Sequence, residues 1–442
     1  MMRKKTVSML LATVLCAVPL AACGGGSDNP GKQGESAAKE EAPKLEPAEL
    51  VFYDGSGDWP AERFDREIGG PLKQKFPHIT PKFVPYTNGS KVQDMITAGE
   101  PPDIVFASTG LVYSRLMQYE LQYDITPLIQ KYKYDMGKQE PVVTEQMKQL
   151  ANGGIYGLPA FMSPATLYYN KDIFDKFGVA YPKDGNTWDE LYEMSKKLTR
   201  KDGGITYRGL FVSAQHLIRL NQFSLKTLDT ATNKATFADD SWKKFYDNAA
   251  RFFTVPDFEL TTALTSVANQ RSAFIKDRTV AMWLPVSTQH TAEELAGMNW
   301  DVASFPVFAD KPGVGPQPYP NVFWLTRTSK YKDQAFQAMA YLASEEFQLA
   351  GVKRGEFLSA LKSDTLRKAF GQDAAMYKGK NIKAMLPEKF ASATPIGKYN
   401  SIAETNLLTS FNNVILGKKD TNTALREAEE AANKKIQEEL SK

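Results

Sequence analysis

Beyond Pro47 the chain continues to Lys442 with no cysteine and no low-complexity stretch. A single hydrophobic core stops growing at roughly 250 to 300 residues, and residues 48–442 exceed that, so the length by itself calls for two lobes. Without a disulfide to staple them, those lobes must take their stability from large apolar cores. The stretch before them differs in kind. Residues 24–48 carry no aromatic residue and are rich in Gly, Ser, Pro, Lys and Glu, a composition that buries too little to order itself and reads as a flexible tether.

At the start, Arg3, Lys4 and Lys5 precede an almost unbroken apolar run from Val7 to Leu20, and small residues lead to Cys23. This order is a secretory signal, residues 1–22, cut before Cys23. Its apolar run is short of the about 20 residues that a permanent span needs. Leu20-Ala21-Ala22-Cys23 resembles a bacterial lipoprotein lipobox. That resemblance implies a diacylglycerol on the Cys23 thiol, with residues 23–48 as lipid anchor and tether at the outer face of the cytoplasmic membrane. Two or more acyl chains make a stable anchor. A long tether on a lipid suggests a Gram-positive bacterium. The alternative is a secreted protein with a chance cysteine near the cut. Lys and Arg number 54 against 51 Asp and Glu, and the three basic residues of the leader account for the excess. No basic surplus remains to attract nucleic acid.

From Glu49 onward short apolar runs alternate with helical patterns. Leu50–Tyr53, Ile79–Tyr86, Asp103–Phe106 and Val280–Leu284 read as strands bounded by Gly, Pro and Asp. Phe64, Ile68, Leu72 and Phe76 mark helix pieces broken by Gly69-Gly70-Pro71. Thr187 with Glu190 forms a capping box ahead of Trp188, Leu191 and Leu198. Phe336, Met339, Ala340 and Phe347 mark a further helix, and Leu425, Ala428, Ala432 and Ile436 the last. The alternation predicts an α/β fold whose sheets are mostly parallel and covered on both faces.

Gly154-Ile155-Tyr156-Gly157-Leu158-Pro159, Leu167–Phe174, Gly178, Pro182, Thr187-Trp188 and Glu190-Leu191 stand in an order that resembles the family 1 extracellular solute-binding proteins. These are the maltose-binding-protein-like receptors of ABC importers. Gly99–Ile104, Arg278–Met282 and Leu416-Gly417 to Ala424-Leu425 resemble further stations of that family, and the likeness runs from about residue 49 to 440. It implies a type II periplasmic-binding-protein-like fold with a hinge between two lobes, 49–160 plus 318–361 and 161–317 plus 362–442. Pro159–Ala165 is then hinge and cleft floor, with further crossings near Gln317–Asn321 and Leu361. Three crossings restrain a hinge while permitting it to close. Permease subunits are the implied partners, with a monomer as the receptor and no cofactor.

In open α/β sheets, ligands lie beyond the carboxyl ends of strands. That rule and the family's motifs bring the same loops together. They nominate Asp54 and Trp59 after the first strand, Ser108 and Thr109 after the third, Phe161 and Ser163 at the first crossing, Gln215, Trp283 and Ser287 from the second lobe, and Tyr319 at the second crossing; Ser401–Thr405 complete the ring. Asp58 reads as a cap for the following helix, whereas Asp54 has no such duty and is the better ligand contact. Trp283, inside an apolar strand, suits core or cleft. Hydroxyl, amide and aromatic groups of this kind suit a polar, uncharged ligand such as an oligosaccharide. Ser163, Ala107 and Gln215 depart from the maltose-binding pattern, so maltodextrin does not follow from the resemblance.

Catalytic signals are missing. His78, His216 and His290 share no metal-ligand spacing, and the chain has no nucleophile elbow and no phosphate-binding lysine loop. A metal site is not expected. A lipid-anchored glycoside hydrolase working through paired carboxylates is the alternative from another class, and a ligand-sensing co-receptor is a third.

Overall fold

The computed structural model describes residues 46–441 except 58, 88–90 and 288–292. The signal segment, Cys23, most of the tether, Asp58 and His290 therefore lie outside the described residues. Two sheets organise the rest. The first contains β1 (Ala48–Asp54), β2 (Ile79–Val84), β3 (Ile104–Ser108), β4 (Gly157–Met162), β10 (Pro320–Leu325) and β11 (Leu358–Ser359), in the order β11-β4-β10-β3-β1-β2. The second contains β5 (Leu167–Asn170), β6 (Arg200–Asp202), β7 (Ile205–Val212), β8 (Val280–Leu284) and β9 (Trp300–Ala303), in the order β6-β7-β8-β5-β9.

In the first sheet β1, β2, β3 and β4 run the same way, but β10 returns in the opposite sense and inserts between β3 and β4. The expected mostly parallel sheet thus holds for strand direction and fails for neighbour pairing, since every contact of β10 is antiparallel. The second sheet behaves alike: β7 and β8 pair in parallel, while β5 runs against both β8 and β9. The reversals arise because the chain passes between the sheets. It leaves the first after Met162, enters the second at Leu167, comes back at Pro320 and departs again after Ser359.

Each sheet has its own core. Phe52, Phe106, Phe161 and Phe323 form one aromatic layer, with Phe106 and Phe323 ring centroids 5.0 Å apart, and Phe64, Ile68, Leu72, Phe336 and Met339 close over it from helices. Around β5, β7 and β8, Tyr168, Phe211, Met282 and Trp283 are covered by Trp188, Trp242, Tyr246 and Phe411. Gly157 is needed where β4 meets β10: a Cβ there would stand 2.4 Å from the Phe323 carbonyl oxygen.

Two helix expectations change. Gly69-Gly70-Pro71 does not break its helix. Residues 61–75 run on as α, then π over Asp65–Gly69, then α again, with the Gly70 N–H donating to the Asp65 carbonyl five residues back. The wider turn accommodates a proline that has no N–H to give and whose ring crowds the preceding turn of an α-helix. Phe336 and Phe347 belong to separate helices, Lys332–Leu342 and Glu345–Lys353, because Ser344 caps the second by accepting the Phe347 N–H. The Thr187/Glu190 capping box forms as read, and the last helix, Thr421–Leu440, buries Leu425, Ala428, Ala432 and Ile436. Among the described residues no helix is long and apolar enough to cross a membrane.

Candidate functional site

The loop after β1 is shaped by Asp54. Its carboxylate, 1 % exposed, accepts the N–H groups of Ser56 (3.0 Å), Gly57 (3.0 Å) and Trp59 (2.9 Å). Folding the loop this way sets the Trp59 indole against Phe106, 4.9 Å between centroids, and Phe161, 6.1 Å. Trp59, Phe106, Phe161 and Phe357 then form the apolar wall of a cavity of about 760 Å³. Its floor is where the two crossing segments run side by side. Asn321 Nδ2 donates to Ser163 Oγ at 2.7 Å, and the Ser163 N–H donates to the Tyr319 carbonyl at 3.0 Å. Tyr168 of β5 lines it from the second sheet, together with Ser287 beyond β8 and Tyr377 of the turn Ala375–Tyr377.

Charged side chains complete the lining, and all but Glu62 come as ion pairs among the described residues. Arg63 Nε donates to both oxygens of Glu67 (2.9 and 3.0 Å), whose buried carboxylate also takes Arg66 at 2.8 Å. Arg354 grips Glu356 with two bonds, and Arg271 pairs with Glu294. Paired charges and bound hydroxyls beside aromatic faces can hold a polar, uncharged ligand by hydrogen bonds and stacking.

A smaller cavity of about 40 Å³ lies along the same returning segment, lined by Tyr319 as the larger one is by Asn321. Here the Tyr319 hydroxyl accepts from Ser108 Oγ and from Arg219 Nη1, each at 3.0 Å, and Arg219 Nε donates to Glu404 at 3.0 Å. Burial opposes the charge of Arg219, but Glu404 and the Tyr319 hydroxyl more than offset it and hold the pKa above the usual arginine range.

A family model described as bacterial extracellular solute-binding protein matches residues 60–349. The chain belongs to that family. Among curated relatives of this solute-binding protein, an uncharacterised ABC transporter extracellular-binding protein of Pyrococcus horikoshii is 29% identical over 214 residues, 47% of this chain and 45% of that one. An arabinooligosaccharide-binding protein of Bacillus subtilis is 27% identical over 209 residues, 46% of this chain and 43% of that one. The aligned region is thus less than half the length of either relative. An ABC substrate-binding protein of Listeria monocytogenes, solved in complex with cycloalternan, shares the fold with a TM-score of 0.69 at 19% identity, over 89% of this chain and 100% of that one.

Of the residues nominated from the sequence of this solute-binding protein, Trp59, Phe161, Ser163 and Ser287 meet on the larger cavity. Thr109 and Tyr319 meet on the smaller, with Ser108 bonded behind them. Asp54 is corrected: its carboxylate is committed to the loop that aims Trp59. Trp283 is wholly buried between Tyr168 and Phe274, so the core reading is the right one. Gln215 is exposed in the first turn of the helix Ala214–Arg219 and lines neither cavity. Sequence reading missed Arg63, Glu67, Asn321, Arg354 and Arg219. The strand-end rule skips the first, second and fourth, which lie in or just after helices, and it stopped one helical turn short of Arg219.

His216 is buried beside this cluster and shares a 2.6 Å hydrogen bond with Ser213. Burial, aided by the charge of Arg219, pushes its pKa down to about 3. An unfolded imidazole titrates near pH 6.5, so between those values the unfolded chain binds a proton that the folded one refuses, and stability falls as pH falls. From pH 7 to 5 this one group should remove about 2 kcal/mol. His216→Gln is expected to lose correspondingly less over that interval in urea titrations; parallel losses for both proteins would contradict the assignment.

Proposed function

We propose that this chain captures a small neutral carbohydrate between its lobes and passes it, unchanged, to the permease subunits of an ABC importer. The observation that carries the reading is the cavity of about 760 Å³ lined from both sheets, with Trp59 and Phe161 as ring platforms and Ser163, Asn321 and Ser287 as hydroxyl partners. Cavities of this size suit one to a few sugar rings. Membership of the solute-binding family and the arabinooligosaccharide and cycloalternan named for relatives support carbohydrate over other solutes. The lobes are residues 49–160 plus 318–361 and 161–317 plus 362–442, hinged at the three crossings, and acylated Cys23 holds a monomeric receptor on the outer face of the cytoplasmic membrane of a Gram-positive cell. Binding without turnover is supported by the pairing of three of the four cavity carboxylates, Glu67, Glu294 and Glu356, with arginine, Glu62 being the fourth. No cofactor or metal enters this mechanism.

Ligand contacts to both lobes favour the closed form by as much as they differ between open and closed states. A thermal-shift screen of mono- to tetrasaccharides and polyols tests the reading. At a concentration 100 times its Kd, a true ligand adds about 2.7 kcal/mol of stability. At least one sugar is expected to raise the melting point and to be recovered intact. A flat response across the panel, or cleaved sugar, would refute the proposal.

A further inference from the structure

Arg219 sits at the end of the helix Ala214–Arg219, on the second-sheet side, yet part of what its guanidinium touches belongs to the other side. Nη1 donates to the Tyr319 hydroxyl, and that same oxygen accepts from Ser108 at the end of β3. The guanidinium also lies against Gly110, in the turn Thr109–Leu111 that follows β3. A Cβ on Gly110 would stand 2.8 Å from Nη1 and 3.0 Å from Cδ, so a larger residue there would push the guanidinium away from this position. Glu404, from the helix Asn400–Ile415 on Arg219's own side, holds the opposite edge of the group. One charged side chain thus spans the seam with its ion pair behind it, while the larger cavity stays open.

We propose that Arg219 is a positioning residue that clamps the two lobes together at the Ser108–Tyr319–Gly110 seam without help from a ligand. The clamp rests on the two-lobe receptor reading. It gives the ligand-free chain a share of the closed arrangement in advance, so a solute entering the larger cavity spends less of its binding energy on closure. Hydrogen bonds with an ionised donor are about twice as strong as neutral ones, which makes a single guanidinium sufficient for such a bias.

The test uses the full ligand-free chain and variants that cut the clamp from either lobe. Tyr319→Phe removes the shared acceptor and leaves the Arg219–Glu404 pair intact. Gly110→Val wedges the seam from the β3 side, and Arg219→Ala removes the clamp itself. All three are expected to increase the radius of gyration in small-angle scattering. They should also speed amide exchange at residues 109–114 and at Tyr319 and Asn321 by at least about tenfold, the loss of a charge-assisted bond. Exchange in β1 and β8, within the cores, should be unchanged. Arg219→Lys, which keeps the charge but not the fork, should recover part of the protection. Unchanged radii and seam exchange in Tyr319→Phe and Gly110→Val would overturn the clamp, and those two variants decide even if Arg219→Ala does not fold. Failure of every sugar to bind would sink the receptor reading while leaving this ligand-free result standing.

Discussion

Trp188→Ala is expected to lower the melting temperature by about 5 °C, the equivalent of roughly 3 to 5 kcal/mol for deleting a fully buried tryptophan. The indole is 2 % exposed and packs against Phe252, Phe305 and Phe308. Its N–H donates to Gln222 Oε1 at 2.8 Å, and Gln222 in turn donates to the carbonyls of Pro306 (2.8 Å) and Val314 (2.6 Å). The side chain therefore fills the second core and also fixes the segment that feeds the chain back to Gln317. Trp188→Phe retains most of the ring contacts but strands the Gln222 oxygen, at about 1 to 2 kcal/mol. Calorimetry of both variants checks the order; a melting point within about 2 °C of wild type for Trp188→Ala would remove this tryptophan from the account.

Trp59→Ala should weaken sugar binding by about thirtyfold, equivalent to about 2 kcal/mol, as the stacking wall is lost. Because Trp59 also touches Phe64 and Phe106, part of any effect belongs to folding. Trp59→Phe separates the two: it keeps an aromatic face and should recover most of the affinity. Titration calorimetry with a sugar selected by thermal shift reads the difference. Equal affinity of wild type and Trp59→Ala would mean that the solute sits elsewhere.

Much of the architecture was legible because it is written in local pattern. Strand cores such as Leu50–Tyr53 and Ile104–Phe106 are apolar runs bounded by turn residues, and Thr187 with Glu190 states a helix start outright. Other features depend on tertiary context. Gly69-Gly70-Pro71 reads as a break by propensity, yet the helix survives as a π turn, a device that has no sequence signature of its own. Trp283 was ambiguous because a strand buried on both faces shows no alternation to say which side chains face a cleft. Trp59 follows β1 as read, whereas Asp54 is the strand's last residue, and their division of labour, carboxylate inside and indole toward the cavity, follows from loop hydrogen bonds that no spacing predicts. The arginines were invisible for a similar reason. Arg63 and Arg354 approach the cavity from helices far apart in the chain, and only the folded arrangement brings them together.

The most direct test is to locate a bound sugar. In a crystal structure of the complex, the solute should occupy the space between Trp59 and Ser287, touching side chains from both sheets and stacking on at least one aromatic ring. A sugar held by one lobe alone, or lying outside that space while the cavity remains empty, would contradict the account.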